Sequence, residues 1–149
     1  MSKILKMTRK IGTHSGVFHC DESLACFLLK LLPQYKDAEI IRTRDENILK
    51  TCDVVVDVGG VYDHDTFRYD HHQATFQKTL SSIFPKKVFA DIRLSSAGLV
   101  YAHYGHEIIA TQLNFSPKDS KTDKIFDIVY ENFIREIDAI DNGKIVYLL

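Results

Sequence analysis

Asp53-Val54-Val55-Val56-Asp57-Val58-Gly59-Gly60 is the stretch on which the fold turns. Its four valines leave no polar face, which suits a strand buried on both sides in a parallel sheet covered by helices. The glycine pair closes the run, so Asp57 emerges at the carboxyl edge of the sheet, where ligands bind in open α/β sheets. Toward the N-terminus, Lys10 to Thr13 reads as a first strand ending at His14, and Glu39 to Thr43 as a second. Between them Leu24, Phe27, Leu28, Leu31 and Leu32 recur at helical spacing, with Asp21 and Glu22 in the first turn and Pro33 as the stop. Toward the C-terminus, Val61 to Asp70 holds two short β-like pieces around Asp63-His64-Asp65, a hairpin. Ser95-Ser96 caps a helix expected to run to about Tyr104 and end near Gly105. Lys124 to Ile140 places Phe126, Val129, Phe133, Ile137 and Ile140 on one helical face before Asn142-Gly143. Strand alternating with helix gives an α/β class, a mainly parallel β-sheet flanked by helices.

The remaining sequence bounds the function. A chain of 149 residues, 45% apolar and 26% charged, has the balance of one soluble globular domain rather than a disordered or fibrous protein. No apolar run approaches the ~20 residues that span a bilayer, and a net charge of -1 argues against coating long duplex DNA. Three cysteines without a C-x-x-C pair fit a reducing, intracellular setting. Residues 1–10, with Lys3, Lys6, Arg9 and Lys10, read as a flexible N-terminal arm, and residues 11–149 as one α/β domain. The apolar Ile145-Val146-Tyr147-Leu148-Leu149 reads as a segment about to enter another element, so a C-terminal domain is expected to be lacking from this chain.

The histidines are unevenly spread. His14-x4-His19-x-Asp21, then Asp57, then Asp70-His71-His72, then Asp138-x-x-Asp141 each fall at the end of an expected strand or helix. Converging on one sheet edge, they would make a mixed imidazole and carboxylate set suited to two divalent cations such as Mn²⁺, Co²⁺, Fe²⁺ or Zn²⁺. Taken singly each group has a plainer meaning: an Asp-His-His surface turn, Asp21 as a helix N-cap, Asp57 capping a turn. Their joint occurrence favours the metal reading. Asp141 is preferred to Asp138 as the fourth ligand, because it is expected to fall outside the helix. His64 reads as solvent-facing, and His103 and His106 as structural residues near a helix end. Cys20 is the one cysteine near the proposed ligands, and Cys26 lies near the buried helical face.

Ile11-Gly12-Thr13-His14-Ser15-Gly16-Val17-Phe18-His19-Cys20-Asp21-Glu22, Val55-Val56-Asp57-Val58-Gly59-Gly60 and Tyr69-Asp70-His71-His72-Gln73 closely resemble the Myg-type (melanocyte-proliferating-gene) protein family. Leu94-Ser95-Ser96-Ala97-Gly98-Leu99-Val100-Tyr101 and Asp138-Ala139-Ile140-Asp141-Asn142-Gly143 extend the likeness over most of the chain. That family resembles a branch of the DHH phosphoesterases. The resemblance implies a DHH-like N-terminal domain, two divalent metal ions with Mn²⁺ preferred, and 3′–5′ exonuclease action on RNA in nucleus or mitochondrion. It also implies roles: His14 and His19 on a first metal; Asp21, His71 and Asp141 on a second; Asp57 bridging both. His72 would face the scissile phosphate and Asp70 would orient a ligand histidine. One departure is plain: the superfamily's His-x3-Asp-x-Asp is here His14-x4-His19-x-Asp21, which removes a negative charge and is expected to favour borderline metals over Mg²⁺.

The leading function is therefore a metal-dependent phosphodiesterase trimming short single-stranded RNA or oligonucleotides. Arg42, Arg44, Arg68, Lys86, Lys87 and Arg93 are candidates for phosphate contacts, and Tyr69 or Phe67 for base stacking. A pyrophosphate or cyclic-dinucleotide hydrolase uses the same chemistry, and a degenerate metal-binding module is the non-enzymatic alternative.

Overall fold

The computed structural model describes residues 8–144, so the expected arm is covered only from Thr8 and the apolar tail Ile145–Leu149 lies outside the described residues. Five strands form one sheet: β1 Lys10–Thr13, β2 Glu39–Arg42, β3 Val54–Val56, β4 Tyr62–Asp63 and β5 Arg68–Tyr69. Their order is β2-β1-β3-β5-β4. The first four in that order run parallel, and only β4, the hairpin partner of β5, is antiparallel. The valine run fixes this arrangement. Val54 and Val56 face a core with Ile11 and Tyr69, while Val55 joins Leu49, Cys52 and Val58 on the other side, as the two-residue period of a strand requires.

The larger core lies under α1 (Cys20–Lys30) and α4 (Ser96–Leu113). The opposite face is covered by the short α2 (Glu46–Leu49). The one-turn α3 (Leu80–Ile83) precedes α4. After it come α5 (Ser120–Val129), a π-helical turn at Tyr130–Ile134, and α6 (Arg135–Asp141).

Three expectations are corrected. Helix α4 does not end near Gly105 but continues to Leu113, where Asn114 adopts the left-handed conformation. Gly105 is instead a close-approach position, since a Cβ there would lie 2.7 Å from the Phe126 ring. On α1, Phe27 is exposed, and the buried face runs through Asp21, Glu22, Ala25, Cys26, Leu28 and Leu29, with Leu32 buried just beyond the helix. The last helix is interrupted by its π turn. The extra residue rotates the face, so Phe126, Tyr130, Ile134 and Asp138 are buried while Phe133 and Ile140 are exposed.

Candidate metal centre

Asp57 is the first residue beyond β3, and it leaves the strand with a φ of +56°, a left-handed conformation that aspartate tolerates better than most residues. The turn aims its carboxylate back across the carboxyl edge of the sheet. Both carboxylate oxygens are buried without a hydrogen-bond partner. Such a group is expensive to bury unless a cation meets it. Burial, and Asp21 nearby, push its pKa up, while His71 opposes the shift.

Three sets of ligand-type atoms meet around this carboxylate. His14, His19, Glu22 and Asp57 form the first, Asp57, His71 and His72 the second, and Asp21, His71 and Asp141 the third, the atoms of each set lying within 4.8 Å of one another. The loop Ser15–Phe18 returns His19 onto His14, so that their Nε2 atoms are 3.1 Å apart. His14 and His19 Nε2 lie 3.4 and 3.6 Å from Asp57 Oδ2. On the other side His71 Nε2 is 3.0 Å from Asp141 Oδ2, 3.4 Å from Asp21 Oδ2 and 3.7 Å from Asp57 Oδ1. These are approaches without hydrogen-bond alignment, for neither ring nitrogen of His71 has a hydrogen-bond partner. Burial lowers the His71 pKa, but Asp141, Asp21 and Asp57 outweigh it and push it up to about 11. A divalent cation there would replace that proton. The donor sets, with their unpartnered buried atoms, fit the binding of divalent metal ions.

The surrounding contacts orient these groups. His19 Nδ1 is 3.0 Å from Glu22 Oε2, which leaves Nε2 as the ring's lone-pair atom, turned toward His14. The His19 backbone N–H also donates to Glu22. Gly16 N–H faces His14 Nδ1 at 3.0 Å, a contact that needs the His14 proton on Nε2. Ligation through that Nε2 would place the proton on Nδ1 and cost the loop this contact. Asp70 Oδ1 holds His72 through Nδ1 at 2.7 Å, and Asp70 Oδ2 accepts from Gly60 N–H at 2.6 Å.

Asp21 is not the N-cap of its own helix. It sits in the first turn of α1, and its two oxygens accept the N–H groups of Ser96 and Ala97 (2.9 and 2.6 Å) at the N-terminus of α4. Burial raises its pKa, but His71, the Ala97 N–H and Ser95 more than compensate and hold it below the usual value. Asp141 proves to be the last residue of α6 rather than beyond it. Asp138, one turn earlier, belongs to none of the three sets and accepts Ser95 N–H at 2.8 Å. Glu22 was not among the sequence candidates. A glutamate in a first turn reads as a dipole partner, and only its spacing from His19 hints at more.

Of the expected accessory residues, Arg44 alone lines the cleft of about 470 Å³ that His14, His19, Asp57 and His72 also line. Lys87 is paired with Asp123 and Asp127, Arg93 donates to Asn142, and Arg68 donates to main-chain carbonyls. Lys86 and Phe67 do not line the cleft. Tyr69 is fully buried and donates to the Tyr104 hydroxyl, so it offers no surface to a base. His64 is not merely solvated: it stacks on His103 at 3.8 Å and bonds the Tyr69 hydroxyl. His103 lies within α4, where burial and His64 lower its pKa to about 4. His106 stacks on Phe126 and bonds Asp123. Both are structural, as packed rings within α4 rather than at its end. Cys20 joins none of the three sets.

Asp138 supplies a pH test. Burial pushes its carboxyl up to about 8, against the Ser95 N–H. A carboxyl raised on folding gives stability that is full below its unfolded pKa, near 4, and is lost as pH rises toward 8. Asp138→Asn keeps an acceptor for Ser95 but carries no charge. Its Tm should match that of the wild type near pH 4 and exceed it increasingly up to pH 8, as thermal melts of the metal-free protein would show.

Comparison with known proteins places the chain in a family. The family model described as MYG1_exonuc, uncharacterised protein family UPF0160, matches residues 10–148. This chain belongs to that MYG1 family. It is 58% identical over 134 residues to the MYG1 exonuclease of Rattus norvegicus, covering 90% of this chain and 35% of the relative. The Homo sapiens MYG1 exonuclease is 56% identical over 142 residues (95% and 37%), and the Dictyostelium discoideum MYG1 protein 49% over 133 residues (89% and 38%). The chain thus spans somewhat more than a third of the length of these MYG1 relatives. No solved structure matches it. No helix among the described residues is long and apolar enough to cross a membrane.

Proposed function

We propose that this chain is the metal-holding part of a DHH-type phosphodiester hydrolase that trims short single-stranded RNA or oligonucleotides in the 3′–5′ direction. The observation that carries the reading is Asp57, with both oxygens buried and unpartnered between His14 and His19 on one side and His71 on the other. His14, His19 and Asp57 would hold one cation, with Glu22 fixing His19. Asp21, His71 and Asp141 would hold the second, with Asp57 shared. Divalent cations bound there supply Lewis acidity toward a phosphate ester and acidify water. His72 stands at the open side of the cleft, its ring held by Asp70 through Nδ1, and as an imidazolium it would donate Nε2–H to a phosphoryl oxygen. Nucleus or mitochondrion is the proposed location, by family likeness alone.

The test is product analysis on end-labelled RNA and DNA oligonucleotides, with pyrophosphate and a cyclic dinucleotide in parallel, in Mn²⁺ and Mg²⁺ at equal free concentration. Mononucleotide release from the 3′ end, faster in Mn²⁺, is the expected result. Hydrolysis of pyrophosphate alone would overturn the nuclease reading, and stronger activity in Mg²⁺ would overturn the metal preference. Positioning supplies much of the rate in phosphoryl transfer, so the full-length human relative should turn over faster than this chain.

A further inference from the structure

We propose that Phe18, backed by Arg42, is a stacking platform for a nucleobase, and that Arg44 holds the adjoining phosphate at the mouth of the cleft. The inference rests on the phosphodiesterase reading above and names the part of the substrate that the chain itself grips.

The Ser15–Phe18 loop joins His14 to His19, and it carries two large apolar side chains in water: Val17 is 88% exposed and Phe18 71%. Phe18 is nevertheless not loose. The Arg42 guanidinium lies over one face of its ring, with Cζ 3.6 Å from the centroid. Arg42 is anchored in turn, donating to Gly16 O at 2.7 Å and lying 3.8 Å from Glu22 Oε1. An aromatic ring with one face packed on a cation and the rest in solvent is set up to take a second flat group. Every nucleobase has such a face, so stacking there is tolerant of sequence. The ring is also adjacent in sequence to His19, a member of the first ligand set.

Arg44 completes the grip. It is the one lysine or arginine lining the cleft, and it forms no ion pair among the described residues. The loop, the cleft and Arg44 meet at Gly16, where a Cβ would stand 3.1 Å from His14 Nδ1 and 3.4 Å from Arg44 Nη2. A phosphate entering beside His14 and His19 therefore meets the Arg44 guanidinium, while its nucleoside lies over the Phe18 loop. Pyrophosphate has nothing to place on Phe18, so the platform favours a nucleotide substrate over a bare phosphate.

The experiment is equilibrium binding of a fluorescein-labelled pentanucleotide to the intact chain in Ca²⁺, followed by anisotropy. It is repeated with oligonucleotides carrying one abasic position at each site in turn. Phe18→Ala should weaken binding about 10-fold, and Phe18→Trp should restore it. One abasic position should cost the wild type a similar factor and cost Phe18→Ala almost nothing, because the stacking partner is already gone. Arg44→Ala should weaken every oligonucleotide alike and lower the salt dependence by about one phosphate contact. Unchanged affinity in Phe18→Ala, or an abasic loss as large in the variant as in the wild type, would overturn the platform and leave the hydrolase reading standing. Failure of the wild type to bind any oligonucleotide would overturn both.

Discussion

Asp57→Asn is expected to abolish tight binding of both metal ions together and to lower hydrolysis by at least about 10³-fold, the scale seen when a central electrostatic group is removed. Asparagine is the informative substitution. It tolerates the left-handed backbone at this position (φ +56°), where alanine would add strain. What is lost is then the charge and one ligand oxygen, not the turn. Asp57 approaches His14 and His19 through Oδ2 and His71 through Oδ1, so neither ligand set keeps its full charge without it. Calorimetric Mn²⁺ titration of wild type and variant decides the matter. Loss of one site with the other intact would show that the sets are independent and that Asp57 is not shared.

Gly98→Ala should lower stability by roughly 3 kcal/mol, although helix propensity alone predicts a gain of up to about 1 kcal/mol. Gly98 is the third residue of α4, and a Cβ there would lie 2.1 Å from Asp138 Oδ1 and 2.7 Å from its Cγ and Oδ2. Asp138 has nowhere to go: it is fully buried, and Oδ1 already holds Ser95 N–H. Helix α6 would have to withdraw from α4, carrying Asp141 away from His71. A Tm drop of roughly 10 °C in the metal-free protein follows for a domain of this size. Asp138→Ala in the same chain should recover part of it, because the two substitutions share one contact. An unchanged or raised Tm for Gly98→Ala would contradict the α4–α6 contact as described.

The sheet and its edge were legible because the valine run has only one comfortable place, covered on both sides, and because glycines mark where the chain turns back. Helix faces were less legible for physical reasons that differ. On α1, hydropathy assigns Asp21 and Glu22 to water, yet both are buried, Asp21 held by the N-terminus of α4 and Glu22 by His19, the N-cap of α1. In the last helical stretch the extra residue of the π turn at Tyr130–Ile134 shifts the buried face by a step that a uniform 3.6 period does not contain. Gly105 looked like a helix stop, since nothing in sequence shows that Phe126 will press against it. The motifs that suggested ligands were short and local, but the roles of Glu22 and Asp138 depend on what packs against them in three dimensions.

The central claim is that one carboxylate joins two cations into a single centre. Electron paramagnetic resonance of the chain loaded with two equivalents of Mn²⁺ tests it most directly. A shared Asp57 predicts an exchange-coupled spectrum that collapses in Asp57→Asn. Two independent six-line Mn²⁺ signals in the wild type, or one ion bound at saturation, would contradict it.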